Sequence, residues 1–108
     1  MTMVNAIVSK ITNRVSLVQG NEYVLIGIET DGYRIIDESG EPTWFPKAYF
    51  LEEEVLPPPE WIYRKYDEGE YEYVMQQFSE PGFFEDYADK VKEAVEAIDE
   101  FKRNRMKN

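Results

Sequence analysis

Gly32-Tyr-Arg-Ile-Ile-Asp-Glu-Ser-Gly-Glu-Pro-Thr-Trp-Phe-Pro-Lys-Ala-Tyr-Phe50 decides the reading of this chain. Two β-prone runs, 33–37 and 42–45, flank a Glu-Ser-Gly-Glu turn, which is the pattern of an antiparallel hairpin. The second run leads directly into Phe-Pro-Lys-Ala-Tyr-Phe, where a Pro and a Tyr three residues apart mark a tight aromatic turn. Upstream, residues 4–11 are β-prone, 12–19 read as a polar loop, and Gly20-Asn21 forms a turn. Residues 22–29 then read as a nearly apolar strand in which Gly27 marks a bulge or a close backbone approach. Downstream, residues 51–56 are expected to add a short fifth strand. Five short strands in about 55 residues predict a small, closed or nearly closed barrel rather than a two-sheet sandwich.

Pro57, Pro58 and Pro59 cannot continue a sheet ladder and favour polyproline II. They divide the chain into a barrel over 1–56, a proline/aromatic connector over 57–66 and a helical extension over 67–108, packed on the barrel or on a second copy. Within the extension, Asp67 and Glu70 have capping-box spacing, and Tyr71, Val74, Met75 and Phe78 recur at helical intervals. A short helix fits 67–78 best, although alternation at Tyr71, Tyr73 and Met75 keeps a strand open. Ser79 is a candidate cap for a further helix with Pro81 in its first turn, whose apolar stripe is Phe84, Tyr87, Val91, Ala94, Ile98 and Phe101. The fold class is therefore α+β, a five-stranded barrel followed by two C-terminal helices.

The 108 residues carry 22 acids against 12 bases, a net charge of −10, divided as nine acids and four bases in 1–55 and thirteen and eight in 56–108. That balance repels phosphates and anionic membranes, so neither direct nucleic-acid binding nor a membrane role is expected. No apolar run reaches the roughly 18 residues of a membrane span, the start lacks the features of a secretory signal, and there is no Cys; a cytoplasmic location is expected. Without His or Cys there is no Ser-His-Asp triad, Cys-His pair or imidazole metal site. Asp37, Glu38 and Glu41 fall in a turn expected to be exposed, where a carboxyl keeps an ordinary pKa, so catalysis is not expected. Glu52, Glu53 and Glu54 alternate faces and read as a solvated edge, and no Gly-rich phosphate loop is present. Neither a metal nor a cofactor is expected.

Leu17-Val-Gln-Gly20-Asn-Glu-Tyr23, Tyr33-Arg-Ile-Ile-Asp-Glu-Ser-Gly-Glu and Trp44-Phe-Pro-Lys-Ala-Tyr49-Phe together resemble small uncharacterised proteins of bacteria and their phages that look like Src-homology-3-like barrels. The resemblance covers about half the chain and implies that fold, with an accessory role of phage or prophage type. Residues 45–50 are also similar to the Pro-x-x-Tyr turn of peptide-binding Src-homology-3 domains, where the Pro and Tyr line a groove for proline-rich ligands. The Ala-Leu-Tyr-Asp-Tyr run and the tandem Trp of that class are missing, Tyr33 standing where the latter would begin.

These readings converge on non-catalytic protein binding, with Tyr33, Trp44, Pro46 and Tyr49 as candidate partner contacts on an aromatic platform for an extended peptide. The alternative for those rings is to fill the core, and Pro57, Pro58 and Pro59 either occupy the groove from within the chain or act as a spacer. Trp61, Tyr63 and Tyr66 cover the joint to the helices or form a partner site. Two rival functions stand beside this one. The first is an acidic inhibitor or DNA mimic docking on a basic protein through Glu85, Asp89, Glu93 and Glu96. The second is a structural homodimer or larger assembly joined through the last helix.

Overall fold

Eight consecutive strand-forming residues, Glu22–Glu29 (β2), make the central strand of an antiparallel sheet in the computed structural model, which describes residues 4–9, 16–51 and 55–106. The strand is apolar almost throughout because it is paired along both edges and covered on both faces; Leu25 and Ile26 are fully buried. Val4–Ile7 (β1) pairs with its first half, Val4 opposite Leu25 and Ile7 opposite Glu22. Gly32–Ile36 (β3) runs along the other edge, with a bulge between Leu25 and Gly27. Pro42–Pro46 (β4) completes the expected hairpin with β3, placing Phe45 opposite Tyr33 and Trp44 opposite Arg34.

The turn between β3 and β4 exposes Glu38, Ser39 and Glu41 but buries Asp37. Asp37 is 8% exposed, and its carboxylate accepts hydrogen bonds from Ser16 Oγ (2.6 Å), Thr43 Oγ1 (2.8 Å), Ser39 N (2.9 Å) and Glu41 N (3.0 Å). Glu38 accepts from the Tyr23 hydroxyl and Glu41 from the Tyr87 hydroxyl, while Lys102 Nζ donates to Gly40 O at 3.0 Å. The expectation of exposed carboxylates here is corrected for Asp37, whose burial is met by a full set of donors.

After β4 the chain tightens into a 3-10 turn, Lys47–Tyr49, and Phe50 returns to bridge Val8. Tyr49 O accepts from Ser9 N at 2.8 Å, and Leu51 N donates to Ile7 O at 2.9 Å. The fifth strand expected over 51–56 is corrected: Leu51, Val55 and Leu56 lie outside any strand, and residues 52–54, with the Glu52-Glu53-Glu54 reading, fall outside the described residues. The sheet instead gains Ile62–Lys65 (β5) and Tyr71–Val74 (β6), a hairpin where a connector and an undecided segment were expected. β6 takes the half of β2 that β1 leaves free, Gly27 opposite Val74 and Glu29 opposite Glu72. Among the described residues the result is six strands in the order β4-β3-β2-β6-β5, with β1 also on β2, in a sheet that does not close.

Two C-terminal helices follow, Phe83–Ala88 (α1) and Lys92–Met106 (α2). The expected continuous apolar stripe is broken between them, where Lys90 adopts a left-handed φ of 61°. Ala94, Ile98 and Phe101 of α2 are buried, and Phe101 meets Phe78 edge-on at 5.5 Å. Of the remaining stripe residues, Phe84 and Tyr87 are half-buried and Val91, at the break, is exposed. Among the described residues no helix is long and apolar enough to cross a membrane.

Candidate functional site

Register on the β3–β4 hairpin separates the four residues expected to form one platform. Tyr33 and Phe45 share one face, Trp44 and Arg34 the other. Tyr33 is buried at 7% exposure with its ring edge-on to Phe50 at 5.2 Å, and Tyr49 leans on Phe45 at 6.2 Å. Pro46 is half-buried and stands opposite Gly32. Trp44 alone among the aromatic candidates is well exposed, at 38%, and its indole lies so tightly over Gly32 that a Cβ there would collide with the ring.

Tyr33 belongs to a different place, a cavity of about 360 Å³ walled by Tyr63, Tyr71, Tyr73, Ile28 and Lys47. The Lys47 ammonium stands 5.7 Å from the Tyr33 ring and 5.5 Å from the Tyr71 ring, and donates to the Tyr71 hydroxyl at 3.2 Å. Val55, Leu56 and Pro57 form the rest of its wall, so the chain's own proline segment already lies at this cavity. Pro58 is buried and Pro59 exposed. Of the three aromatics at the joint, Trp61 is buried, whereas Tyr63 and Tyr66 are exposed at 51% and 48%.

Trp44 and Tyr66 meet instead across a groove of about 400 Å³ on the opposite face of the sheet. Between the two rings stand Glu29 from β2, Asp31 from the β2–β3 turn, and Glu70 and Glu72 from β6 and its turn, with Thr30 and Tyr71 completing the lining. Among the described residues no base lines this groove. Thr30 fixes one wall, its Oγ1 accepting from Tyr71 N at 2.9 Å. Glu72 Oε1 accepts from Tyr66 OH at 2.8 Å and from Arg64 Nη1 at 3.1 Å, which orients both the carboxylate and the tyrosine ring. Arg64 is held in turn by the Ser79 carbonyl.

Beside this groove the charges are half-buried and imperfectly matched. Arg34 lies over the Phe84 ring at 4.1 Å, and its Nε is enclosed without a hydrogen bond, Glu29 Oε2 standing 3.9 Å away. Burial lowers the Arg34 pKa, opposed by Glu29 and Glu72. Burial raises the Glu29 carboxyl, Arg34 pulls it down, and the nearby Glu72 pushes it up again. The hydrogen bond to Glu72, followed by burial, raises the Tyr66 hydroxyl. Two carboxylates that oppose one another in a partly desolvated groove favour a positive guest. Among the described residues no three acidic groups converge closely enough to hold a metal ion.

Sequence reasoning singled out Trp44, left Tyr66 between two readings, and missed Glu29, Asp31, Glu70 and Glu72. The signal for Glu72 was present in Tyr71-Glu-Tyr73: as a strand, this run must send its glutamate to the face opposite the tyrosines. Glu85, Asp89, Glu93 and Glu96 are all exposed but are spread over α1, the link that follows it and α2, and Glu96 pairs with Lys92 at 3.9 Å. Comparison of the chain with family models, with curated proteins and with solved structures found no match.

Proposed function

We propose that this chain is a non-catalytic protein-binding module whose recognition surface is the groove between Trp44 and Tyr66. The observation that carries the reading is a pair of exposed rings flanking four carboxylates with no base in the lining among the described residues, Arg64 engaging Glu72 from beside it. An arginine or lysine side chain fits that chemistry, its charge opposite the carboxylates and its stem or guanidinium plane against the rings. The reading joins two expectations that the sequence kept apart: the aromatic contact contributes Trp44, and the acidic surface contributes the charge. The absence of His and Cys leaves little nucleophilic or imidazole chemistry to compete with it.

The finer fold reading, a Src-homology-3-like barrel, is supported by the order of strands β1 to β4, the 3-10 turn at Lys47–Tyr49 and the return of Phe50 to Val8. The β5–β6 hairpin and the helices would then be additions to it. A helix-mediated homodimer is disfavoured by the burial of Ala94, Ile98 and Phe101 within the chain.

Trp44 serves as its own reporter, since the other tryptophan, Trp61, is buried. Titrating the protein with a deca-arginine peptide should shift Trp44 emission, weaken as salt rises, and lose about tenfold in affinity in Trp44→Ala monitored by calorimetry. Emission indifferent to the peptide, or an equal response to deca-glutamate, would sink the reading.

A further inference from the structure

The two edges of the sheet are finished differently. On β4 the backbone groups of residues 33, 35 and 37 bond across to 45, 43 and 41, as the Asp37 N to Glu41 O bond at 2.9 Å fixes. Pro42, Trp44 and Pro46 therefore face outward, and two of the three have no N–H to offer. That edge resists strand addition. On β5 the Tyr66 N to Glu70 O bond of 2.7 Å sets the same alternation, so Arg64 bonds inward and Tyr63 and Lys65 point their backbone groups away from the sheet. Among the described residues no group accepts the outward N–H of Tyr63 or Lys65. Arg64 is drawn inward to Glu72 and Ser79, which leaves Lys65 as the lone guard on an edge that also exposes Tyr63.

We propose that the β5 edge takes up an extended, arginine- or lysine-bearing segment of a partner protein as a seventh strand. The proposal rests on the cation-groove reading and adds its geometry. By register Arg64, Tyr66, Glu70 and Glu72 share one face. A strand laid beside β5 would send alternate side chains to that face next to Tyr66, where the groove begins. Two strand spacings, about 9.6 Å, separate the added strand from β6, and Glu72 leans back across β5 to Arg64 and Tyr66, so a long basic side chain from the added strand meets that carboxylate above β5 while its backbone pairs with Tyr63 and Lys65. Charge selects the occupant: a second copy of this chain brings another −10 and sets its own Arg64 and Lys65 against those already on the edge, whereas a basic segment meets complementary carboxylates.

The test selects binders to the full-length protein from a displayed library of random dodecapeptides, then measures the enriched peptides by calorimetry and amide hydrogen exchange. Basic residues should be enriched, and saturating peptide should slow exchange at Tyr63 and Lys65 about tenfold or more. Lys65→Pro copies the device already used on β4 and spares every bond to β6; it should weaken binding about tenfold, whereas Lys65→Gln, which keeps the N–H, should stay within about twofold. Should Lys65→Pro fail to fold, exchange in the unmodified protein decides alone. Basic peptides that depend on Trp44 yet leave the Tyr63 and Lys65 amides unprotected would overturn strand addition and spare the groove. No enrichment of basic residues would overturn both, and protection of the same amides on raising the protein's own concentration would reassign the edge to a second copy.

Discussion

Two turns of nearly the same sequence, Asp37-Glu-Ser-Gly-Glu41 and Asp67-Glu-Gly-Glu70, end the two late hairpins of this sheet and meet opposite fates. The first is tied down although Glu38, Ser39 and Glu41 stay exposed: Ser16 and Tyr23 reach it from the N-terminal side, Tyr87 and Lys102 from the helices, and the buried Asp37 carboxylate accepts four hydrogen bonds. In the second, residues 67–70 are all exposed and Glu68 takes a left-handed φ of 61°. Local sequence made both of them turns. What lies across from each decided whether its carboxylates would be consumed by the fold or left facing solvent, and the groove carboxylate Glu70 comes from the second.

Asp37→Ala tests that contrast hardest. It strips four donors of their acceptor in a buried site and should cost about 3 kcal/mol, lowering Tm by roughly 12 °C or more, whereas Asp67→Ala should stay within about 0.5 kcal/mol. Equal effects in thermal unfolding would break the comparison. Gly32→Ala comes next: the new methyl must displace the Trp44 indole, at a cost of about 1–2 kcal/mol, and should lower affinity for a cationic peptide, measured by calorimetry, even though no groove residue is changed. Glu68→Gly should act in the other direction, raising stability by about 1 kcal/mol in urea titration by relieving the left-handed glutamate.

The smallest expected effect is alkaline. Burial, then the hydrogen bond to Glu41 and the negative charges of Glu41, Asp99 and Asp37, push the Tyr87 hydroxyl up to about 12. Because the folded pKa lies above the unfolded value, this contact contributes fully below about pH 10 and is lost as pH rises from there to about 12. Tyr87→Phe should flatten that part of the stability profile, and an unchanged slope would show that the first turn is not tied to α1 in this way.

How much was legible follows the same division between local and distant causes. The β3–β4 hairpin, the Gly27 irregularity and the aromatic turn at Lys47–Tyr49 are written in short-range signals, and the first and third appear as read, with the bulge beside Gly27. β6 was not legible, because Tyr71, Val74, Met75 and Phe78 satisfy the helical period while Tyr71 and Tyr73 satisfy the strand period. The half of β2 left unpaired by β1, more than 40 positions before β6, settles the choice. The break at Lys90 was hidden by a stripe that stays in phase across it. Trp44 was visible as an aromatic in a hairpin, but its companions Glu29 and Glu72 become neighbours only once β6 lies on β2.

Pro42 and Pro46 carry a consequence for polymerisation. Fibrils built from stacked sheets grow because each added chain offers the same pairing edge as the one before it. Here one margin has two of its three outward amides removed by covalent structure, so a molecule added at β5 finds no equal edge at β4. That mismatch works against end-to-end growth, as the net charge of −10 also does.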